Sequence, residues 1–334
     1  MEERLNQLLE AIADADTVLI LPHNDPDPDA VASAVALRHL LARNTDIAAE
    51  IAYRGIIGRA ENKALARYLG HPLRRLTRQD LKAPPPIALV DTQPGAGNNP
   101  LPATVVATIV VDHHPWRMET TAALFADVRP ATGSTSTMLT GYLQAAGMEP
   151  DARLATALFY GIKTDTMGLG RGAGPADAAA YFYLQPRIDT QALFEIERAQ
   201  VSATYFQSFA ATLQAARIYK NVVVAYIGPV SYPDLAAEMA DWLLRLEGGQ
   251  WVICMGLHKE QIILAVRTRS RKGGAGQLAQ AIINGHGAAG GHGLMAGGQV
   301  SLNGVEPAQI VAQMTRNALQ YLNIVPDEPG RPLI

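Results

Sequence analysis

Leu21-Pro22-His23-Asn24-Asp25-Pro26-Asp27-Pro28-Asp29-Ala30 is the stretch whose reading decides this chain. It follows the apolar run Thr17-Val18-Leu19-Ile20, which reads as a buried strand. It leads into Val31 to Leu41, an apolar-rich run of helical character. One imidazole and three carboxylates therefore sit on a proline-stiffened turn between a strand and a helix. Anionic groups are favoured near a helix N-terminus, but three this close repel one another unless something positive sits among them. Carboxylate oxygens plus an imidazole suit a divalent cation such as Mn²⁺, Mg²⁺ or Zn²⁺. The competing reading is a solvated acidic loop with Asp29 as an ordinary N-cap.

Two further strands break the tie. Ile87-Ala88-Leu89-Val90 ends in Asp91, before the turn-rich Thr92-Gln93-Pro94-Gly95. The β-branched run Val105 to Val111 ends in Asp112-His113-His114-Pro115-Trp116. In open parallel sheets ligands gather at the carboxyl ends of the strands, and three strands here bring Asp or His to that edge. Ala131-Thr132-Gly133-Ser134-Thr135-Ser136-Thr137 then opens a helix reaching about Ala146. Its hydroxyls read first as caps and second as a phosphate cradle. A helix from Asp151 to Tyr160 leads through Gly161-Ile162-Lys163-Thr164 to Asp165, before a glycine-rich loop.

The chain has 334 residues, more than one core usually holds, so two domains are expected. With 48% hydrophobic and 18% charged residues it has the composition of a soluble globular protein. No run has the length of a membrane span, and the acidic, amphipathic start MEERLNQLLEAIADAD is unlike a signal peptide. The single cysteine, Cys254, rules out a disulfide framework and fits a reducing, cytoplasmic setting. Net charge is −3 and the pI is near 6.2, at odds with the broad basic surface of a protein that tracks long nucleic acid. The fold class read from the pattern is α/β: residues 1–190 form a parallel-sheet domain, 191–217 a helical linker, 218–325 a smaller α/β domain and 326–334 a loose tail.

Asp112-His113-His114 is the signature for which DHH phosphoesterases are named, and the other motifs surround it in order. His23 to Asp29 resembles motif I, Val90-Asp91 motif II, Val111 to His114 motif III, and Gly161 to Thr166 motif IV. Gly290-Gly291-His292-Gly293-Leu294-Met295-Ala296-Gly297-Gly298 resembles the glycine-rich motif of the DHHA1 substrate domain and reads as a loop, although Met295 replaces a common alanine and the glycine run is shorter. In length the chain is most similar to NrnA-type nanoRNases and pAp phosphatases.

The resemblance implies two divalent cations, Mn²⁺ first and Mg²⁺ or Co²⁺ as substitutes. His23, Asp27 and Asp91 would hold one; Asp29, Asp91, His113 and Asp165 would hold the other. It further implies phosphoester hydrolysis by a dimetal-activated hydroxide. His114 is assigned to phosphate contact or leaving-group protonation, and Asp112 to orienting an imidazole. Arg267 or Arg269, with Gly290, Gly291 and His292, would contact substrate in a second domain closing over the cleft; His286 rivals His292. Asp25 is expected to face solvent, His39 and His71 to be structural or exposed, and Arg59 and Asn62 to lie in a solvated first helical turn.

The substrates implied are short RNA or DNA oligonucleotides, dinucleotides or 3′,5′-bisphosphate nucleotides, without long duplexes or membranes as partners, and with a homodimer allowed. The rivals are a RecJ-like single-strand exonuclease, which would need an added basic module, and a pyrophosphate or polyphosphate hydrolase. A non-catalytic nucleotide sensor would leave the filled ligand positions unexplained.

Overall fold

The computed structural model describes residues 1–270, 272–325 and 330–334, with the backbone alone at His292. The chain divides into two compact units, Met1–Ala199 and Gln200–Ile334.

In chain order the first unit comprises α1 (Glu2–Glu10), β1 (Thr17–Pro22), α2 (Pro28–Asn44), β2 (Ala48–Tyr53), α3 (Ala60–Tyr68), β3 (Leu73–Arg75), β4 (Ile87–Val90), β5 (Ile109–Asp112), β6 (Phe125–Val128), α4 (Thr135–Ala145), α5 (Ala152–Asp165), α6 (Pro175–Leu184) and α7 (Thr190–Glu197). The strands form one parallel sheet in the order β3-β2-β1-β4-β5-β6. The chain builds outward from β1 to β3, returns, and builds the other way from β4 to β6. The switch point therefore lies between β1 and β4, where open α/β sheets bind ligands.

The central strands β1, β4 and β5 are apolar nearly throughout because both faces are covered. Ile20, Ala88, Val90, Ile109 and Val111 join the core beneath α2, α4 and α5. Leu19, Leu21, Ile87, Leu89 and Val110 alternate to the opposite face, where Leu76, Leu81, Leu101 and Val105 close over them. The α2 helix starts where the sequence stops it from extending backward. Asp27 is its N-cap, accepting the Ala30 N–H at 3.0 Å, and Pro28 occupies the first turn. Burial of Val31, Leu37, Leu40 and Leu41 on several sides marks α2 as an interior helix.

The second unit contains α8 (Ala203–Ala215), β7 (Arg217–Tyr219), β8 (Val222–Pro229), α9 (Leu235–Leu243), β9 (Trp251–His258), β10 (Gln261–Thr268), α10 (Ala275–Ile283), β11 (Ala288–His292), β12 (Met295–Ser301), α11 (Pro307–Tyr321) and β13 (Arg331–Pro332). Its mixed sheet runs β11-β12-β10-β9-β8-β7-β13. Val224, Ile253 and Leu264 face α10 and α11, while Val223, Val252 and Ala265 face α9.

Several local expectations change. The run from Val105 starts as a turn, with the Val105 N–H donating to the Pro102 carbonyl, and the strand begins at Ile109. Residues 191–217 hold two helices, α7 within the first unit and α8 within the second. The tail is not wholly loose: Arg331 and Pro332 pair with Ile218 and Arg217, and the Leu333 N–H donates to the Ala216 carbonyl at 3.1 Å. Residues 326–329 lie outside the described residues. The glycine-rich 290–298 segment is a hairpin, not a loop. Gly291 has φ 138°, and a Cβ there would collide with Ala296 and the Met295 carbonyl, so glycine lets the two strands approach.

Candidate metal centre

Three strands of the parallel sheet end by delivering polar groups to the switch-point edge: β1 His23, β4 Asp91, β5 Asp112 and then His113. Asp91 leaves the strand with φ 60°, a left-handed conformation that costs a non-glycine residue about 1–3 kcal/mol. Its N–H still donates to the Val111 carbonyl at 2.9 Å, so the turn is fixed.

Asp91 lies at the centre of the cluster and is 1% exposed. Its Oδ2 is 3.5 Å from His23 Nε2, and its Oδ1 is 3.4 Å from His113 Nε2. His23 Nε2 also lies 3.6 Å from Asp27 Oδ2, and His113 Nε2 lies 3.5 Å from Asp165 Oδ2. Among the described residues, His23–Asp27–Asp91, Asp29–His113–Asp165 and Asp91–His113–His114 each bring ligand atoms within 4.8 Å of one another.

The two histidines flanking Asp91 are held alike. Nδ1 of His23 is 2.8 Å from the Asn24 carbonyl, and Nδ1 of His113 is 3.2 Å from the Thr132 carbonyl. A carbonyl can only accept, so Nδ1 carries a proton in both rings and Nε2 is the nitrogen aimed among the carboxylates, available to a cation once it is unprotonated, the arrangement of a metal-binding imidazole. His113 Nε2 is buried without a hydrogen-bond partner. His114 differs: its Nδ1 donates to Asp112 Oδ1 at 2.8 Å, and its side chain is 38% exposed.

The electrostatics ask for positive charge. Burial pushes the Asp91 and Asp165 carboxyls well above the usual range, reinforced for both by Asp27 and Asp29. Burial also raises Asp29, with Asp27 adding to it against the opposing effect of His113. Burial works against a charged His23, but the hydrogen bond and charge of Asp27, and the charge of Asp91, prevail and carry it to about 10. Asp27 is held below the ordinary carboxylate range: burial opposes this, but His23 outweighs it. Burial and the neighbouring His114 lower His113. Crowded carboxylates, two imidazoles aimed by backbone carbonyls and an orphaned His113 Nε2 are the donor set of divalent-cation sites, and the residues fit such ions.

Cation affinity is expected to rise with pH and binding to release protons, because His23, Asp91 and Asp165 hold protons to higher pH in the metal-free protein than ligation allows. His113, already lowered, adds nothing near neutrality. Titration calorimetry in two buffers of different ionisation enthalpy reads the protons released; identical heats would refute the linkage.

The start of α4 supports the cluster in a way the sequence did not reveal. Its first amides are already taken by a carboxylate: the buried Thr135 and Ser136 N–H groups donate to Asp29 Oδ2 and Oδ1, both at 2.7 Å. Asp29 is the anion on that helix end, and Thr135 Oγ1 donates to Asp91 Oδ1 at 2.9 Å. The loop before α4 is latched by buried Asp177, which accepts from Gly133 N–H, Gly174 N–H and Thr137 Oγ1. Gln93, 1% exposed, sits on Asp112 at 2.6 Å. Asp25 is half-buried rather than solvent-facing, and its Oδ1 accepts the Ile56 N–H at 2.5 Å, tying the turn to the loop after β2.

In the second unit Arg267 is 8% exposed, with Nε donating to Asp241 Oδ1 at 2.5 Å and Nη1 to the Val266 carbonyl. The β10 strand ends at Thr268, so Arg269 does not continue its face; it is exposed beyond the strand, its N–H donating to the Gln250 carbonyl. Gly290 and Gly291 lie in β11, and His286 is exposed. The His292 side chain and Arg271 fall outside the described residues. Asn62 is buried, not solvated, on the first turn of α3. No described helix is long and apolar enough to cross a membrane.

Fold and cluster together define the class: an open α/β sheet with a carboxylate–imidazole cluster that could hold cations at its switch point. Residues 17–162 match the model of the DHH family, N-terminal domain, so this stretch is a DHH-family domain; members of that family are metal-dependent phosphoesterases and hydrolases. An uncharacterized protein of Methanocaldococcus jannaschii is 36% identical over 287 residues, which are 85% of this chain; the chain spans 58% of that protein's length. Among solved structures, an exopolyphosphatase-related protein from Bacteroides fragilis superposes with a TM-score of 0.77 at 16% identity, over 96% of this chain and 97% of that one. A DHH domain described as a member of the s1p family of ribosomal proteins gives 0.51 at 10% identity, over 96% and 90%.

Proposed function

We propose that the chain is a metal-dependent phosphoesterase hydrolysing phosphodiester or phosphomonoester bonds in very short oligonucleotides, dinucleotides or 3′,5′-bisphosphate nucleotides. The observation that carries this reading is Asp91, whose two carboxylate oxygens turn to two different imidazoles, as a carboxylate shared by two cations must. His23, Asp27 and Asp91 would hold one ion; Asp29, Asp91, His113 and Asp165 would hold the other, with Mn²⁺ the first candidate. When bound, such a pair neutralises charge on phosphoryl oxygens and acidifies water.

The chain's own groups do the positioning. Carbonyls of Asn24 and Thr132 aim His23 and His113, and Thr135 with the α4 amides fixes Asp91 and Asp29. His114, whose Nδ1–H donates to Asp112, offers Nε2 to the leaving oxygen; it protonates that oxygen after Nε2 has taken up a proton from solvent to give the imidazolium, and returns to the neutral ring with Nδ1–H still on Asp112. Arg269 and the Gly290–Gly291 backbone are the second unit's candidate phosphate contacts, Arg267 being engaged by Asp241. The net charge of −3 supports short substrates over long strands.

The test is Mn²⁺-dependent hydrolysis of an RNA ladder from two to about twenty-four nucleotides, with pAp, pyrophosphate and polyphosphate alongside. Turnover confined to the shortest oligomers or pAp is expected. Turnover of long strands, or only of pyrophosphate or polyphosphate, would overturn the substrate class; the Bacteroides fragilis neighbour's description makes the polyphosphate arm necessary.

A further inference from the structure

Gln93 lies two residues beyond Asp91, in a turn whose sequence gives it no chemical role, yet its amide is fully enclosed. Nε2 donates to Asp112 Oδ2 at 2.6 Å and to the Pro115 carbonyl at 3.0 Å, with the His114 carbonyl at 3.4 Å. Oε1 accepts from the Arg117 N–H and from Thr120 Oγ1, both at 2.9 Å. Its backbone carbonyl accepts from Asn99 Nδ2 at 2.7 Å. One side chain thereby uses both amide hydrogens and both lone pairs. All its partners belong to the segment from the end of β5 to the short helical turn at Met118–Ala122, which carries His114 and has no strand or helix of its own before that turn.

Asp112 is the link. Its Oδ1 receives Nδ1–H of His114 and its Oδ2 receives the Gln93 amide. A carboxylate bonded at one oxygen can rotate and lose its aim; bonded at both it cannot. We propose that Gln93 is a positioning residue that fixes the tautomer and direction of the His114 ring through Asp112. The proton is held at Nδ1, so Nε2 is the nitrogen that meets the leaving oxygen. This rests on the assignment of His114 to proton exchange, but the ring geometry can be read without any substrate.

The experiment uses the full chain, labelled with ¹⁵N-histidine and loaded with diamagnetic Mg²⁺. Long-range ¹H–¹⁵N correlation of the imidazoles, with a His114→Gln variant to assign the signal, reports the tautomer. Wild type should show His114 with Nδ1 protonated. Gln93→Leu should give a mixture of tautomers and lower kcat about tenfold, with KM changed less than about twofold, the scale of losing a support behind a working ligand. Gln93→Met keeps the length and most of the volume of the side chain but has no hydrogen to donate to Asp112. It should lose less stability than the leucine variant and still show the mixed ring, so it decides the matter if the leucine variant fails to fold. A wild-type ring signature in both variants, or in the methionine variant if that alone folds, would overturn the proposal. If wild type turned over no phosphoester, the functional reading would fall, while the mixed ring in the variants would still establish the positioning role.

Discussion

Asp91→Ala is expected to abolish turnover, by about 10³-fold or more, because it removes the one group facing both imidazoles and with it several kcal/mol of charge stabilisation. A sharper result is expected from stability. In the metal-free chain Asp91 is a buried carboxyl among Asp27, Asp29 and Asp112, raised first by burial and then by those charges. Asp91→Asn keeps the volume and an acceptor for Thr135 while removing the charge, so the metal-free midpoint should stay level or rise. Wild type should gain stability as Mn²⁺ is added, by RT ln(1 + [L]/Kd). The asparagine variant should gain far less, and calorimetry should find its cation stoichiometry reduced. A variant that loses stability without Mn²⁺, yet responds to Mn²⁺ like wild type, would make Asp91 a structural residue and sink the shared-carboxylate reading.

What could be read in the sequence was whatever depends on local pattern. Apolar runs ending in His23, Asp91 and Asp112-His113 announce strands with polar groups at their carboxyl ends, and a parallel sheet collects those ends at one edge. The helix after Asp27 is equally local, fixed by a cap and a proline. The supports of the site are not local. Thr135 reaches Asp91 across 44 residues, Asp177 reaches Gly133 across 44, and Gln93 reaches Asp112 across 19. A serine- and threonine-rich helix start looks the same whether its amides face water, a phosphate or Asp29, and only the fold shows that Asp29 takes them. Asp25 misled for the same reason. A third aspartate in an acidic turn looks solvated until the loop after β2 is seen to donate to it. The 290–298 segment reads as a loop in sequence because glycine signals turns, whereas in the fold its glycines permit close strand pairing.

Asp177→Ala is expected to have the largest effect on stability of any change outside the cation cluster, about 3–5 kcal/mol. The side chain is fully buried and accepts from Gly133 N–H at 2.9 and 3.0 Å, Gly174 N–H at 2.8 Å and Thr137 Oγ1 at 2.6 Å. Truncation leaves the Gly133 and Gly174 N–H groups without a partner, Thr137 Oγ1 keeping Ser134 Oγ at 3.0 Å, and each orphaned donor costs about 1–3 kcal/mol, not fully additively. It also removes the carboxylate that reaches back to the Gly174 N–H at the start of α6. Asp177→Asn, with one acceptor oxygen left and an N–H₂ turned toward another donor, should fall between alanine and wild type. The consequence should reach the site, since Gly133 directly precedes the turn that places Thr135 and Ser136 on Asp29 and Asp91. Hydrogen exchange in peptides covering residues 131–145 and 174–184 should quicken together, and cation affinity should fall with it, while exchange in the second unit should not change. Unchanged exchange at the start of α4 would mean that Ser134 and Asp29 suffice to hold that helix end, and the latch would lose its connection to the cation site.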